Sequence, residues 1–187
     1  MSIFEFVMVL VSIIIGLGIA EILTGIAGQI RWRKESKPYL LHSLIVVAIF
    51  LALIQQWWEI WGLSGETRWT FVALMLMLGG PVCLHLIAHL LFPDDIRSTN
   101  LRGYYYAEMR PVWLLICLAV VIGTLFRPIA FGDDLIHPDN ATSSLVLMGC
   151  LILAFSSRPA VHAILNPLLL ISLVYDIFRF SFLMAEG

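Results

Sequence analysis

The chain has 187 residues, 60% of them hydrophobic and 13% charged, with a formal net charge of -2. Its mean hydropathy is +0.95, and ordinary soluble domains are only about 45–50% apolar, so a soluble globular domain is excluded. The near-neutral balance offers no basic surface for nucleic acid, and Cys83, Cys117 and Cys150, isolated inside apolar runs, offer no disulfide framework or Cys-x-x-Cys zinc site.

The first apolar run, Ile3 to Gly28, carries only Glu5 and Glu21 as ionisable side chains. It exceeds the ~20 residues needed to cross a ~30 Å hydrocarbon core. No basic residue precedes it, so it reads as a span and not as a cleaved signal peptide. Ser12, Gly16, Ala20, Thr24 and Gly28 recur every fourth residue and share one helix face. Gly18 and Gly25 flank that stripe. Small residues let helices in lipid approach closely, so the stripe is expected to be either an internal seam or a contact between copies of the protein.

Six spans follow from hydropathy, at about 3–28, 40–62, 69–92, 111–131, 141–157 and 159–184. The predicted fold is an all-α, single-domain, polytopic membrane protein. The fifth span is the shortest, about 24 Å of helix at ~1.5 Å per residue. Arg31, Arg33, Lys34 and Lys37 lie in the first connection, Arg97, Arg102 and Arg110 in the third and Arg158 in the fifth. The other side holds Arg68, Arg127, Arg179 and an acidic fourth loop with Asp133, Asp134 and Asp139. Lys and Arg accumulate on the cytoplasmic side, so both termini are expected outside, in a bacterial inner membrane. Trp57, Trp58, Trp61 and Trp69 mark one interface; Trp32, Tyr39, Tyr104, Tyr105, Tyr106 and Trp113 mark the other. Pro81 and Pro167 are expected to kink the third and sixth spans, and Pro128 to end the fourth.

This threading brings costly polar groups to two depths on the cytoplasmic side. His42, His89 and His162 lie about 5 Å in, and Glu21, His85 and Asn166 about 10 Å in, at ~1.5 Å per residue. Ionisable residues inside a membrane mark ion paths and proton relays. The leading expectation is therefore a homo-oligomeric membrane protein that passes or senses protons or small ions through this cluster. A second expectation is a redox subunit holding a metal or haem. His85 and His89, at i and i+4, share a helix face as metal ligands do, and histidines from facing spans can act as axial ligands. A third is a non-catalytic assembly subunit that binds other membrane subunits through the small-residue stripe. A plainer alternative has the histidines bonded to backbone or to neighbouring hydroxyls. Near the other interface lie Gln55, Gln56, Glu59 and Arg127, and Asp176 is spaced to pair with Arg179. No nucleophile elbow, P-loop, dinucleotide fingerprint or zinc-hydrolase motif is present, and Asp94-Asp95 reads as a cation site or a solvated turn.

Overall fold

Backbone N–H and C=O groups find no water in hydrocarbon, so each apolar run must satisfy them internally as a helix. The computed structural model describes residues 3–66, 69–132, 134 and 140–181. The described residues are helical with no strand: α1 Ile3–Arg31, α2 Leu40–Ile60, α3 Phe71–Leu90, α4 Leu101–Glu108, α5 Arg110–Phe131, α6 Asn140–Phe155 and α7 Pro159–Asp176. A 3-10 turn, Trp61–Leu63, extends α2, and a π turn, Ile177–Ser181, extends α7. Five of these helices are long and apolar enough to cross a membrane; α6, with 16 residues, is shorter. Arg68, Asp133, the 135–139 stretch and the end of the sixth expected span lie outside the described residues.

Local chemistry sets the helix ends. The Thr70 hydroxyl accepts from the Ala73 amide at 3.1 Å and starts α3. The Asn100 side chain accepts from the Arg102 amide at 3.1 Å and starts α4. Pro128 does not end α5, contrary to expectation. The helix runs three residues further and stops at Gly132, whose φ of 82° lies in the left-handed region that glycine adopts without a Cβ clash. Helix α3 stays helical through Pro81 and α7 through Pro167.

Helices α2, α3, α5, α6 and α7 form a ring, each packing on the next and α7 returning to α2. Helix α1 lies outside the ring against α2 and α3. It buries Phe4, Val7, Val11, Ile15, Gly18, Ile22 and Gly25, a strip recurring every three to four residues. Burial from lipid yields little hydrophobic gain, so close fit must hold such helices. The fit is tightest at two glycines. A Cβ on Gly18 would come within 3.0 Å of the Leu53 side chain and 3.5 Å of the His85 Cα, and one on Gly25 would overlap the Phe92 ring. The internal seam is thus the Gly18 and Gly25 strip. Ser12, Gly16, Ala20 and Thr24 face outward and only Gly28 is half-buried, against Ile96.

Contacts between α1 and α3 advance in parallel, and those between α1 and α2 run antiparallel. Gln29 meets His42 while Ser12 meets Trp57. The successive long helices alternate in direction, and the basic connections gather at one end of the ring. There α4, which no hydropathy window announced, packs against α2 and α5. At the same end Arg31 and Arg97 lie over the Trp32 ring, at 5.5 and 4.9 Å, and the Ser36 hydroxyl donates to the Thr99 carbonyl at 3.2 Å.

Candidate functional site

The six residues expected to form one polar cluster fall into separate groups. His42 is fully buried. Its Nε2 donates to the Leu91 carbonyl at 2.6 Å, because a carbonyl only accepts. Its Nδ1 is then the acceptor, 3.5 Å from the Gln29 amide nitrogen. His162 and Asn166 form a second group, around a residue that the threading used only as an interface marker. The Tyr105 hydroxyl lies 3.0 Å from His162 Nδ1, and His162 Nε2 donates to the Ser156 carbonyl at 2.7 Å. That fixes the direction: Tyr105 donates to His162 and accepts from Asn166 Nδ2 at 3.1 Å. Asn166 Nδ2 also donates to the Leu41 carbonyl, at 2.8 Å. This chain of bonds ties α2, α4, α6 and α7 together at the basic end. Tyr106 completes the closure through a 2.9 Å bond to the Tyr39 hydroxyl. Burial pushes the Tyr105 hydroxyl pKa up, and desolvation pushes that of Tyr106 up to about 12.

Glu21 and His89 form the third group. His89 Nδ1 lies 3.5 Å from Glu21 Oε1, with side chains 66% and 41% exposed, on the outward side of α1 and α3. His85 stands apart from all three groups. It is half-buried, and its Nδ1 has no hydrogen-bond partner. Among the described residues no three His, Cys, Asp or Glu side chains are grouped to hold a metal ion. The Asp95 carboxylate accepts from the Arg97 amide at 3.0 Å and from the Ser98 hydroxyl at 2.6 Å. It is the anchor of a turn, and the Ser98 bond holds its pKa below the usual carboxylate range.

The ring encloses a cavity of about 720 Å³, within the ~300–1,000 Å³ of pockets that take a drug-sized molecule. Its two ends differ. Toward the basic end the lining is Ile45, Leu84, Trp113, Cys150 and Asn166, and Trp113, Cys150 and Asn166 are buried. Toward the other end Gln55, Gln56, Glu59, Thr124, Arg127 and Asp176 line it, and Glu59 and Arg127 are exposed. The cavity therefore opens away from the basic end, and the Asn166–Tyr105–His162 network lies at its floor. Gln55 Nε2 donates to Glu59 Oε1 at 2.7 Å. Gly80 makes room for the Gln56 side chain, whose Oε1 would lie 3.0 Å from a Cβ there.

Two polar atoms among the cavity-lining residues lack partners. Trp113 Nε1 and Asp176 Oδ1 are buried with no hydrogen bond. Buried polar groups are rarely left this way. Arg179, spaced to pair with Asp176, acts on its carboxylate electrostatically, and its Nη1 also donates to the Tyr175 hydroxyl at 3.5 Å. Pro81 and Pro128 have no N–H for the carbonyls four residues before them, those of Met77 and Thr124, and both residues line the cavity. No protein-family model, curated protein or solved structure matches the chain.

Proposed function

We propose that the chain is a six-span membrane protein that receives a small ligand from the outer side into its central cavity. The excess of Lys and Arg at one end of the ring supports a cytoplasmic position for that end, in a bacterial inner membrane with both termini outside. Helix α6 then crosses within the protein ring, where a short span is tolerated by local thinning of the bilayer. The observation that carries the reading is the contrast along the cavity. Its basic end is sealed by fully directed hydrogen bonds, while its opposite end is lined by exposed Glu59 and Arg127. Thiol labelling tests it. With Cys83, Cys117 and Cys150 replaced by Ala, Ser143→Cys should react with a membrane-impermeant reagent added outside intact cells, and Ser157→Cys only after permeabilisation. The opposite pattern overturns the orientation.

Passage or sensing of protons is the second reading, supported by the chain from Asn166 at the cavity floor through Tyr105 to His162. In liposomes, Tyr105→Phe should abolish proton flux; unchanged flux removes this reading. Association between copies is supported by the outward placement of Ser12, Gly16, Ala20 and Thr24, where a Cβ on Gly16 meets nothing within 4 Å. Gly16→Leu should reduce complex size in detergent without loss of the folded monomer.

A further inference from the structure

We propose that a cleft at the α6–α7 turn binds the head group of an anionic phospholipid whose chains lie along α6, a proposal that rests on the membrane-spanning reading and is independent of what fills the central cavity. Three observations carry it.

The first is the chemistry of the cleft. Ile152, Phe155, Ser156, Ser157, Arg158 and Val161 line a space of about 440 Å³ at the basic end of the ring. Its polar side chains are two hydroxyls and a guanidinium, with no carboxylate among them. Ser156 Oγ accepts from the Arg158 amide at 3.3 Å, which leaves its proton available to donate. The Ser157 hydroxyl and the Arg158 guanidinium have no partner among the described residues. Arg110 brings a second guanidinium, whose Cζ lies 4.7 Å from the centroid of the Phe155 ring. It too lacks a carboxylate partner among the described residues. The carboxylates of this end are placed elsewhere. Asp95 anchors its own turn, Glu108 and Asp94 act electrostatically on Tyr104, and Glu35 lies in the first connection among Arg31, Arg33, Lys34 and Lys37. A site of donors and positive charge calls for a ligand that accepts and is negative. Guanidinium forks match a phosphate, and basic pockets between membrane helices take anionic head groups.

The second is that the cleft is held in shape. The Ser156 carbonyl accepts from His162 Nε2 at 2.7 Å, and the Ser156 amide donates to the Ile152 carbonyl at 2.9 Å. The hydrogen-bonded network of the basic end thus fixes the turn before any ligand arrives, which lowers the ordering cost of binding.

The third is the apolar surface that starts at the cleft. Leu145, Met148, Ile152 and Phe155 recur every three to four residues along α6 and are 65, 56, 44 and 66% exposed. They share one face about 15 Å long, at ~1.5 Å per residue. Leu114 and Leu118, exposed on α5, follow Arg110 at four-residue steps. A free phosphate would leave these faces uncovered, and a neutral lipid would leave both guanidiniums uncompensated.

The test uses the full chain purified in detergent and offered equal amounts of a phosphatidylglycerol and a phosphatidylcholine with the same acyl chains, with lipid-bound species counted by native mass spectrometry. A preference of roughly tenfold for the anionic lipid is expected. Arg110→Gln combined with Arg158→Gln should bring the ratio close to one while the protein still elutes as a folded particle. Arg110→Lys combined with Arg158→Lys, which keeps the charge, should retain part of the preference. Lys34→Gln combined with Lys37→Gln removes the same charge from the same end and should leave the ratio unchanged. An equal loss in the lysine and arginine pairs reports attraction to a basic surface in general and overturns the cleft, as does an unchanged ratio in the arginine pair. Displacement of the lipid by glycerol phosphate at the same concentration overturns a lipid occupant. Release of the chain from membranes by alkaline carbonate, a measurement made without added lipid, overturns the membrane-spanning reading itself.

Discussion

The two ends of the helical ring use polar side chains in opposite ways. At the basic end Asn166, Tyr105, His162 and His42 are buried, and each is hydrogen-bonded to a carbonyl or to another of the group. Toward the other end Asp176 Oδ1 is buried and unmatched, and a second unmatched atom, Trp113 Nε1, lies in the cavity floor beside His162. A satisfied buried network rigidifies a fold, and an unsatisfied group is a standing cost. The difference teaches that polarity inside an apolar helical ring is not in itself a sign of a site. What distinguishes a site from a clamp is the account of donors and acceptors.

Substitutions test that contrast most severely at the clamp. Asn166→Leu removes both Nδ2 donations and leaves the Tyr105 hydroxyl and the Leu41 carbonyl without that donor. The Tyr105 hydroxyl keeps its bond to His162, so each lost bond costs about 0.5–1.5 kcal/mol and a loss on the order of 2 kcal/mol is expected in reversible unfolding in mixed micelles. An effect below about 0.5 kcal/mol would mean that the network does not hold the ring closed. Tyr105→Phe keeps the ring's aromatic packing against His162, whose centroid is 5.4 Å away, and removes only the hydroxyl. About 1–2 kcal/mol should be lost, and the Asn166→Leu and Tyr105→Phe losses should fall short of additivity, since they break one shared bond.

Titration of the same closure gives a smaller effect with a defined sign. Desolvation raises the Tyr106 pKa from 10.0 to about 12 in the folded protein. A raised folded-state value means the native state holds the proton longer than the unfolded chain does. The associated stability is complete below pH 10 and is lost as pH rises from there through about 12. Unfolding midpoints followed from pH 8 to pH 12 should fall only in the upper part of that range, and Tyr106→Phe should flatten the fall. At the cavity the expected stability change is smallest. Trp113→Phe removes an N–H that has no partner, so stability should change by less than about 1 kcal/mol. A loss as large as that of Asn166→Leu would place Trp113 in the clamp and erase the contrast.

Much of the fold was legible in the chain because hydropathy and charge are one-dimensional signals. The apolar runs gave the six longer helices, and the distribution of Lys and Arg located the basic end. Span depth also brought His162 and Asn166 to neighbouring levels, and they do share a network. Depth says nothing about azimuth, however. A residue's direction around the helix axis depends on which helices pack beside it, so Glu21 and His89 were indistinguishable from His42 until α1 was seen outside the ring. Helix α4 was hidden because eight residues of mixed polarity make neither a hydropathy peak nor a long periodic run. Its Tyr105 therefore read as an interfacial anchor. The four-residue repeat of small side chains overshadowed Gly18 and Gly25, though these flank it and make the seam. The cavity was invisible because a void is a property of the ring as a whole. Its one sequence-level sign was Gln55-Gln56 followed by Glu59, polar groups on an otherwise apolar span.

The central claim is that the ring is clamped at one end and built to be filled at the other. A density map of the protein purified into lipid nanodiscs tests it most directly. The account predicts non-protein density in the cavity between Trp113 and Arg127, above an intact Asn166–Tyr105–His162 network. A ring collapsed onto itself, with Trp113 Nε1 and Asp176 Oδ1 bonded to protein groups and no space between α2 and α5, would contradict it.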